Sequence, residues 1–101
     1  MRVLEHLEPA RVFWYFEEIC GIPHGSHNTK AISDYCVAFA KAHGLEYHQD
    51  AANNVIIIKE ASAGYEASEP LILQGHIDMV CEKTPECPID MEKEGLQVAV
   101  D

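Results

Sequence analysis

Residues 71–80 carry the strongest indication of how this chain folds: Leu71-Ile72-Leu73-Gln74-Gly75-His76-Ile77-Asp78-Met79-Val80. The stretch begins with a short apolar run typical of a buried strand and continues, past a glycine, into a histidine and an aspartate. Open α/β sheets build their sites at the carboxyl ends of strands, and residues two apart in extended backbone point the same way. We therefore expect His76 and Asp78 to face one pocket, with Ile77 turned away.

Two amphipathic helices are predicted upstream of this strand. Pro9 suits the first position of the first helix, and Gly21 and Pro23 suit its end. Its apolar residues recur at helical spacing: Val12, Phe13, Phe16, Ile19 and Cys20. The second helix is predicted to begin after Asn28, a good N-cap, and to end at Gly44, which suits the position just past a helix. Its predicted buried stripe is Ile32, Tyr35, Cys36 and Phe39.

The pattern then changes to one typical of strands. Residues 45–50 alternate loosely, as an exposed strand would, and the asparagines at 53–54 mark a turn. Residues 55–59, which are β-branched from Val55 to Ile58, suit a strand covered on both faces. Residues 96–100 are predicted to begin another strand. Two polar stretches are predicted to be loops: residues 61–69 and 84–94. The order predicts an α/β fold, with two helices followed by strands of a mixed sheet.

Length and charge narrow the classes of function. The chain has 101 residues, enough for one small domain, and 48% hydrophobic residues, which argues against disorder. Its formal net charge of −10 repels phosphate and anionic lipid, so we expect no nucleic-acid partner and no membrane partner. Glutamates interrupt any signal-peptide core in the first twenty residues, which predicts a soluble, cytoplasmic protein. All four cysteines are then expected to be reduced.

The pair formed by His76 and Asp78 has a clear physical use. A neutral imidazole binds Zn²⁺ well through one ring nitrogen, and a carboxylate bound to the other ring N–H fixes the tautomer. The spacing alone leaves two interpretations open. The pair is either a metal ligand with its orienting carboxylate, or a histidine at a strand end hydrogen-bonded to a nearby aspartate.

Three further stretches add to the segment at 73–80: residues 19–26 (Ile-Cys-Gly-Ile-Pro-His-Gly-Ser), residues 38–45 (Ala-Phe-Ala-Lys-Ala-His-Gly-Leu) and residues 50–57. The segment at 73–80 resembles the first metal motif of the aminoacylase-type and carboxypeptidase-G-type metallopeptidases. The four stretches together, in their order along the chain, resemble most closely the aminoacyl-histidine dipeptidases. These enzymes are also called Xaa-His dipeptidases or peptidase D. The resemblance extends over nearly the whole chain.

The resemblance implies a fold and an activity. Residues 1–101 would be the N-terminal segment of a single α/β catalytic domain, and because Asp101 lies within a predicted strand we expect the chain to be part of a longer protein. The intact enzyme would bind two divalent metals, usually zinc, and hydrolyse short peptides such as Xaa-His dipeptides. His76 matches the first metal ligand, and Asp78 matches the catalytic carboxylate that orients it. The remaining ligands would lie beyond this sequence, and a homodimer is one expectation for the intact enzyme.

Other residues have plainer interpretations. The acidic pair Glu17-Glu18 is predicted to be a solvated helix face, and the loop histidines His24 and His27 to be solvated. Cys81 is predicted to lie near the metal site without binding the metal, and Cys87 to be a surface thiol.

A competing hypothesis comes from another class of protein. The chain could be a small, non-catalytic α/β module that binds a metal or a partner. One histidine and one aspartate cannot hold a catalytic zinc, which normally has three protein ligands, so these residues alone are expected to be inactive.

Overall fold

The computed structural model of the chain describes residues 2–101. It has four regular elements: α1 (Ala10–Cys20), α2 (Lys30–Ala42), β1 (Glu46–Gln49) and β2 (Val55–Ile58). The predicted α/β class, with two helices followed by strands, is confirmed, and the sheet that the described residues form has two antiparallel strands. The chain divides into two compact units, one comprising the chain up to Ile32 together with Asp78–Asp101, the other Ser33–Ile77. The single catalytic domain stays a prediction.

Helix α1 begins one residue later than predicted. Pro9 is its N-cap, with extended backbone (φ −73°, ψ 130°), and the Pro9 carbonyl accepts a hydrogen bond from the Phe13 N–H at 3.2 Å. Gly21 ends the helix as predicted, and its N–H donates to carbonyls of the last turn. Only Cys20 of the apolar stripe is buried, whereas Val12 is 61% exposed. The stripe predicted from periodicity is therefore largely uncovered by the described residues.

The acidic pair on α1 is more than the solvated face that the sequence predicted. The Glu17 carboxylate accepts hydrogen bonds from the backbone N–H groups of Val3 at 2.9 Å and Leu4 at 3.0 Å. The Arg2 guanidinium donates to the Glu18 carboxylate at 2.8 Å. Both glutamates are half-buried, and Leu4 is buried. These contacts hold the N-terminal segment along the first helix.

Acid is expected to release this N-terminal segment. The hydrogen bond from the Val3 N–H holds the pKa of Glu17 below its ordinary value of 4.5. Because the folded pKa is lower than the unfolded one, the stabilisation is present above the ordinary value and is lost as pH falls through the folded pKa. Amide chemical shifts of Val3 and Leu4, followed by NMR from about pH 6 to about pH 2, should therefore move together.

The variant Glu17→Gln supplies the control for this titration. A glutamine carries no titrating charge, so the same amide shifts should lose their pH dependence. Val3 and Leu4 shifts that titrate alike with Glu17→Gln and with the natural residue would show that another group releases the segment.

Helix α2 starts at Lys30, later than an N-cap at Asn28 requires. The side-chain amide of Asn28 donates instead to the Glu92 carbonyl at 3.0 Å, so it links two loops of the first unit. Tertiary contact has here overridden a local capping signal. The buried residues of this segment are Ile32, Ser33, Val37 and Ala40. Of the predicted stripe, Ile32 is buried, whereas Tyr35, Cys36 and Phe39 are half-buried.

The end of α2 follows the sequence prediction. Gly44 adopts the left-handed conformation, with φ +66°. Its N–H donates to the Lys41 carbonyl at 3.2 Å, and the Leu45 N–H donates to the Ala40 carbonyl at 2.9 Å. These two bonds are the Schellman pattern, which satisfies carbonyls that the last turn leaves open.

The substitution Gly44→Ala should lower the free energy of unfolding by about 1 kcal/mol, because a side chain disfavours the left-handed region. A Cβ at this position would meet no atom within 4 Å, so backbone strain is the only cost. Urea unfolding measures the change. The matched control is Gly75→Ala, where a Cβ also has open space and φ is not left-handed. Equal losses for both variants would contradict the role of Gly44.

The turn between the strands is held by Asp50. Its carboxylate accepts hydrogen bonds from the N–H groups of Ala52 and Asn54, both at 2.9 Å, and from the Asn54 side-chain amide at 2.9 Å. The Asn54 side chain is also the main reason that the pKa of Asp50 lies below its usual range. Asn53 has φ +69°, which asparagine tolerates better than most residues. The predicted turn at 53–54 is thus confirmed.

The sequence predicted that strand β2 is covered on both faces, and this prediction is wrong. Its partner β1 places Gln49 opposite Val55, and the Gln49 side chain on that face donates to the Ser33 hydroxyl at 2.8 Å. On the other face, Ile56 is 61% exposed and Ile58 is 37% exposed. The described residues therefore leave much of this face open.

The predicted buried strand at residues 71–74 is wrong. These residues form no strand, and the side chains of Leu71, Ile72 and Leu73 are 83%, 85% and 89% exposed. A strand needs a hydrogen-bonded neighbour, and the sheet of the described residues consists of β1 and β2 alone. Residues 96–100 form no strand either. Within residues 2–101, no helix is both long enough and apolar enough to span a bilayer.

Candidate functional site

Residues 78–79 are held by the loop that joins the two helices. Gly25 and Met79 form a parallel bridge. The Met79 N–H donates to the His24 carbonyl at 2.9 Å, and the Ser26 N–H donates to the Met79 carbonyl at 3.1 Å. The backbone beside Asp78 is therefore fixed by this bridge.

The Asp78 side chain has a close partner on the same loop. The Ser26 hydroxyl donates a hydrogen bond to Asp78 Oδ2 at 2.6 Å, within the range of charge-assisted O–H bonds to a carboxylate. Asp78 is half-buried. The loop itself is a tight turn, in which the Asn28 N–H donates to the Gly25 carbonyl at 2.8 Å and His27 has φ +68°.

Cys81 packs against this loop. A Cβ built on Gly25 would collide with the Cys81 sulfur, and Gly25 is buried. The Cys81 side chain therefore lies directly against the backbone of Gly25. A cleft of about 680 Å³ opens beside the same residues. Its walls include Ser26, His27, Asn28, Val80, Cys81 and Lys93. The prediction that Cys81 lies near a metal site stays a prediction.

His76 is exposed and belongs to the unit Ser33–Ile77, whereas Asp78 belongs to the other unit. Imidazole and carboxylate are donors that zinc accepts. Among residues 2–101, however, no three His, Cys, Asp or Glu residues come together around a point where an ion could bind. The described residues supply at most part of a zinc site, which needs three protein ligands. The roles of His76 as metal ligand and Asp78 as orienting carboxylate stay predictions.

Two other histidines have structural partners. His24 is half-buried rather than solvated, and its Nδ1 lies 2.6 Å from the Ile22 carbonyl oxygen. His43 Nδ1 lies 2.9 Å from the Phe39 carbonyl oxygen, so it caps a carbonyl near the end of α2. His27 is exposed, as predicted.

The cysteines divide by burial. Burial raises the pKa of the Cys20 and Cys36 thiols, which keeps both protonated and inert. This agrees with their interpretation as small hydrophobic residues. Cys87 is half-buried, not a fully exposed surface thiol.

Ser26 is a neighbour of Asp78 that the sequence analysis did not name as a site residue. It lies 52 positions away along the chain, too far for any spacing rule to connect the two. The available signal was the stretch 19–26, which carried part of the resemblance and which ends at this serine.

Comparison with known proteins gives two relatives. The chain is 36% identical, over all 101 of its residues, to the cytosol non-specific dipeptidase of Escherichia coli strain K12, and spans 21% of that protein. It matches the crystal structure of aminoacylhistidine dipeptidase from Vibrio alginolyticus with a TM-score of 0.91 and 35% identity, over 97% of this chain and 20% of that one. No family model matches the chain.

These findings confirm the resemblance to the aminoacyl-histidine dipeptidases. The chain spans about a fifth of the length of each relative. Its two helices and two antiparallel strands match an N-terminal part of the dipeptidase fold. Both relatives are dipeptidases by name.

Proposed function

We propose that this chain, a relative of the aminoacyl-histidine dipeptidases, is part of a metal-dependent dipeptidase that hydrolyses short peptides, with Xaa-His dipeptides among its substrates. One observation carries the proposal. The motif His76-Ile77-Asp78 lies within a chain that is similar along its whole length to two dipeptidases. The Xaa-His preference is drawn from the name of the Vibrio relative.

The chain's own residues have defined parts in this proposal. His76 binds a divalent metal, zinc in the first instance, through one ring nitrogen. Asp78 accepts a hydrogen bond from the other ring N–H, which fixes the tautomer and makes the imidazole a stronger ligand. When bound, a two-metal centre supplies a Lewis acid for the scissile carbonyl and an activated water. Further ligands come from residues other than those described.

The proposal also covers the binding partner, the cellular location and the assembly of the intact protein. The partner is a small peptide, and the net charge of −10 disfavours nucleic acid and anionic membranes as partners. The name of the Escherichia coli relative supports a cytosolic location. A homodimer is the proposed assembly of the intact enzyme.

A metal-removal assay tests the function. The native protein is stripped with a chelator and assayed against Xaa-His dipeptides and matched Xaa-Ala dipeptides, before and after Zn²⁺, Co²⁺ or Mn²⁺ is restored. We expect activity to be lost on stripping and regained with metal, and Xaa-His substrates to give the higher kcat/KM. Cleavage that survives complete metal removal, or no cleavage of any dipeptide, would overturn the proposal.

A further inference from the structure

The hydrogen bond between Ser26 and Asp78 lies within the first unit and is supported by a backbone hydrogen bond beside it. The hydroxyl of Ser26 donates to Asp78 Oδ2 at 2.6 Å, and the backbone N–H of Ser26 donates to the carbonyl of Met79, the next residue along, at 3.1 Å. The segment that contains Ser26 and the segment that contains Asp78 are therefore joined by a backbone bond and a side-chain bond at the same point. A hydroxyl fixed in this way selects one orientation of the carboxylate it contacts.

The loop that carries Ser26 has little freedom to move. Gly25 is buried, and a Cβ on it would overlap the Cys81 sulfur unless that side chain turned away. On the other side of the loop, the Asn28 amide is anchored to the Glu92 carbonyl at 3.0 Å. A donor held by such a scaffold is preorganised, so its effect on the carboxylate does not depend on a mobile side chain finding its place.

We propose that Ser26 is a positioning residue for the peptidase reaction: its hydroxyl holds the Asp78 carboxylate in one fixed orientation. This inference rests on the proposed function, which assigns to that carboxylate the task of orienting the metal ligand. Removal of a group that hydrogen-bonds to a metal ligand typically lowers metal affinity or rate by about 10–100-fold. Ser26 acts one contact further out, so its removal should cost about 10-fold, at the lower end of that range.

The test compares two variants of one shape. Threonine and valine have nearly the same volume, but only threonine keeps a hydroxyl. Ser26→Thr and Ser26→Val are prepared in the native enzyme, and Ser62→Ala, a change in an exposed loop, is the control. Two quantities are measured: the affinity for Zn²⁺ by competition with a chelator, and kcat/KM for a dipeptide. We expect Ser26→Val to weaken both about 10-fold, and Ser26→Thr and Ser62→Ala to stay within about twofold of the native enzyme.

A double-mutant cycle separates positioning from a general loss of structure. Asp78→Ala removes the carboxylate that accepts the hydrogen bond from Ser26. If Ser26 acts through Asp78, then adding Ser26→Val to Asp78→Ala should change metal affinity by less than about twofold. A full 10-fold further loss would show that Ser26 acts elsewhere and would overturn the inference.

The remaining outcomes keep the two proposals apart. An active, metal-dependent native enzyme in which Ser26→Val retains both its metal affinity and its kcat/KM would overturn the role of Ser26 and leave the proposed function intact. A Ser26→Thr variant that behaves like Ser26→Val would overturn it as well, because the hydroxyl would then be irrelevant. A native protein without metal binding or peptidase activity would remove the proposed function first, and this inference with it.

Discussion

If His76 is the metal ligand of the proposed function, its replacement by alanine is expected to lower kcat/KM of the intact protein by about 1,000-fold or more. Removing a ligand of a catalytic metal loses several kcal/mol of transition-state stabilisation, and each 1.36 kcal/mol is a factor of ten in rate. The fold of the Ser33–Ile77 unit should survive, since His76 is exposed. Metal content per chain, measured on the purified variant, should fall together with the rate.

The control for this experiment is His6→Ala. The His6 side chain is 91% exposed, and its Nε2 lies 3.6 Å from a carboxylate oxygen of Glu5. Its removal should change neither metal content nor kcat/KM. A His76→Ala enzyme that keeps its metal and its rate would show that the imidazole is no ligand, and the plainer interpretation of the His76–Asp78 pair would then stand.

Asp78→Asn should have a smaller effect than His76→Ala, in the range of 10–100-fold on metal affinity. The asparagine keeps a carbonyl oxygen that can accept from the Ser26 hydroxyl, so the loop contact at 2.6 Å can persist. What is lost is the negative charge behind the imidazole. The ratio between the two variants therefore distinguishes a ligand from the group that orients it.

The features that the sequence predicted well are those decided within a few residues. The end of α2 follows from one glycine at φ +66°, and the hairpin turn follows from an aspartate and two asparagines at 50–54. Such signals need no distant partner, because the atoms that satisfy each other are neighbours in the chain. Helix periodicity placed both helices for the same reason.

The strand expected at 71–74 failed because apolar composition does not make a strand. A strand exists only where a second strand accepts its hydrogen bonds, and periodicity carries no information on that partner. Residues 71–74 have none among residues 2–101 and are exposed. The prediction that both faces of β2 are covered was wrong for the same reason. Whether the Ile56 side chain is covered depends on elements far away in sequence.

The candidate site divides along the same line. His76 and Asp78 could be named because they lie two residues apart inside a recognisable motif. Ser26, a partner of Asp78, could not be named from the sequence, because it lies 52 positions away along the chain. Glu17 was misjudged for a related reason. Helix periodicity places it on a polar face, but the backbone N–H groups that it binds belong to a segment whose path only the folded chain reveals.

The substitution Gly95→Ala is expected to be the most destabilising of the glycine-to-alanine changes in this chain. A Cβ on Gly95 would lie 2.6 Å from the Gly21 Cα and closer still to the Gly21 carbonyl group. All three atoms are backbone at the end of α1, so no rotamer change can relieve the overlap. Overpacking of this kind typically costs 1–3 kcal/mol, and we expect about 3 kcal/mol because the obstacle is backbone.

The loss should also have a local signature. The neighbouring Leu96 N–H donates to the Cys20 carbonyl at 2.7 Å, and this bond closes the segment onto the end of α1. If Gly95→Ala forces the segment away, the Leu96 amide should lose its protection from hydrogen exchange together with the fall in unfolding free energy. Gly75→Ala again provides the comparison, since a Cβ there meets nothing within 4 Å and should leave both quantities unchanged. A Gly95→Ala protein with native stability and a protected Leu96 amide would mean that the segment from 94 to 96 does not pack on α1 in solution.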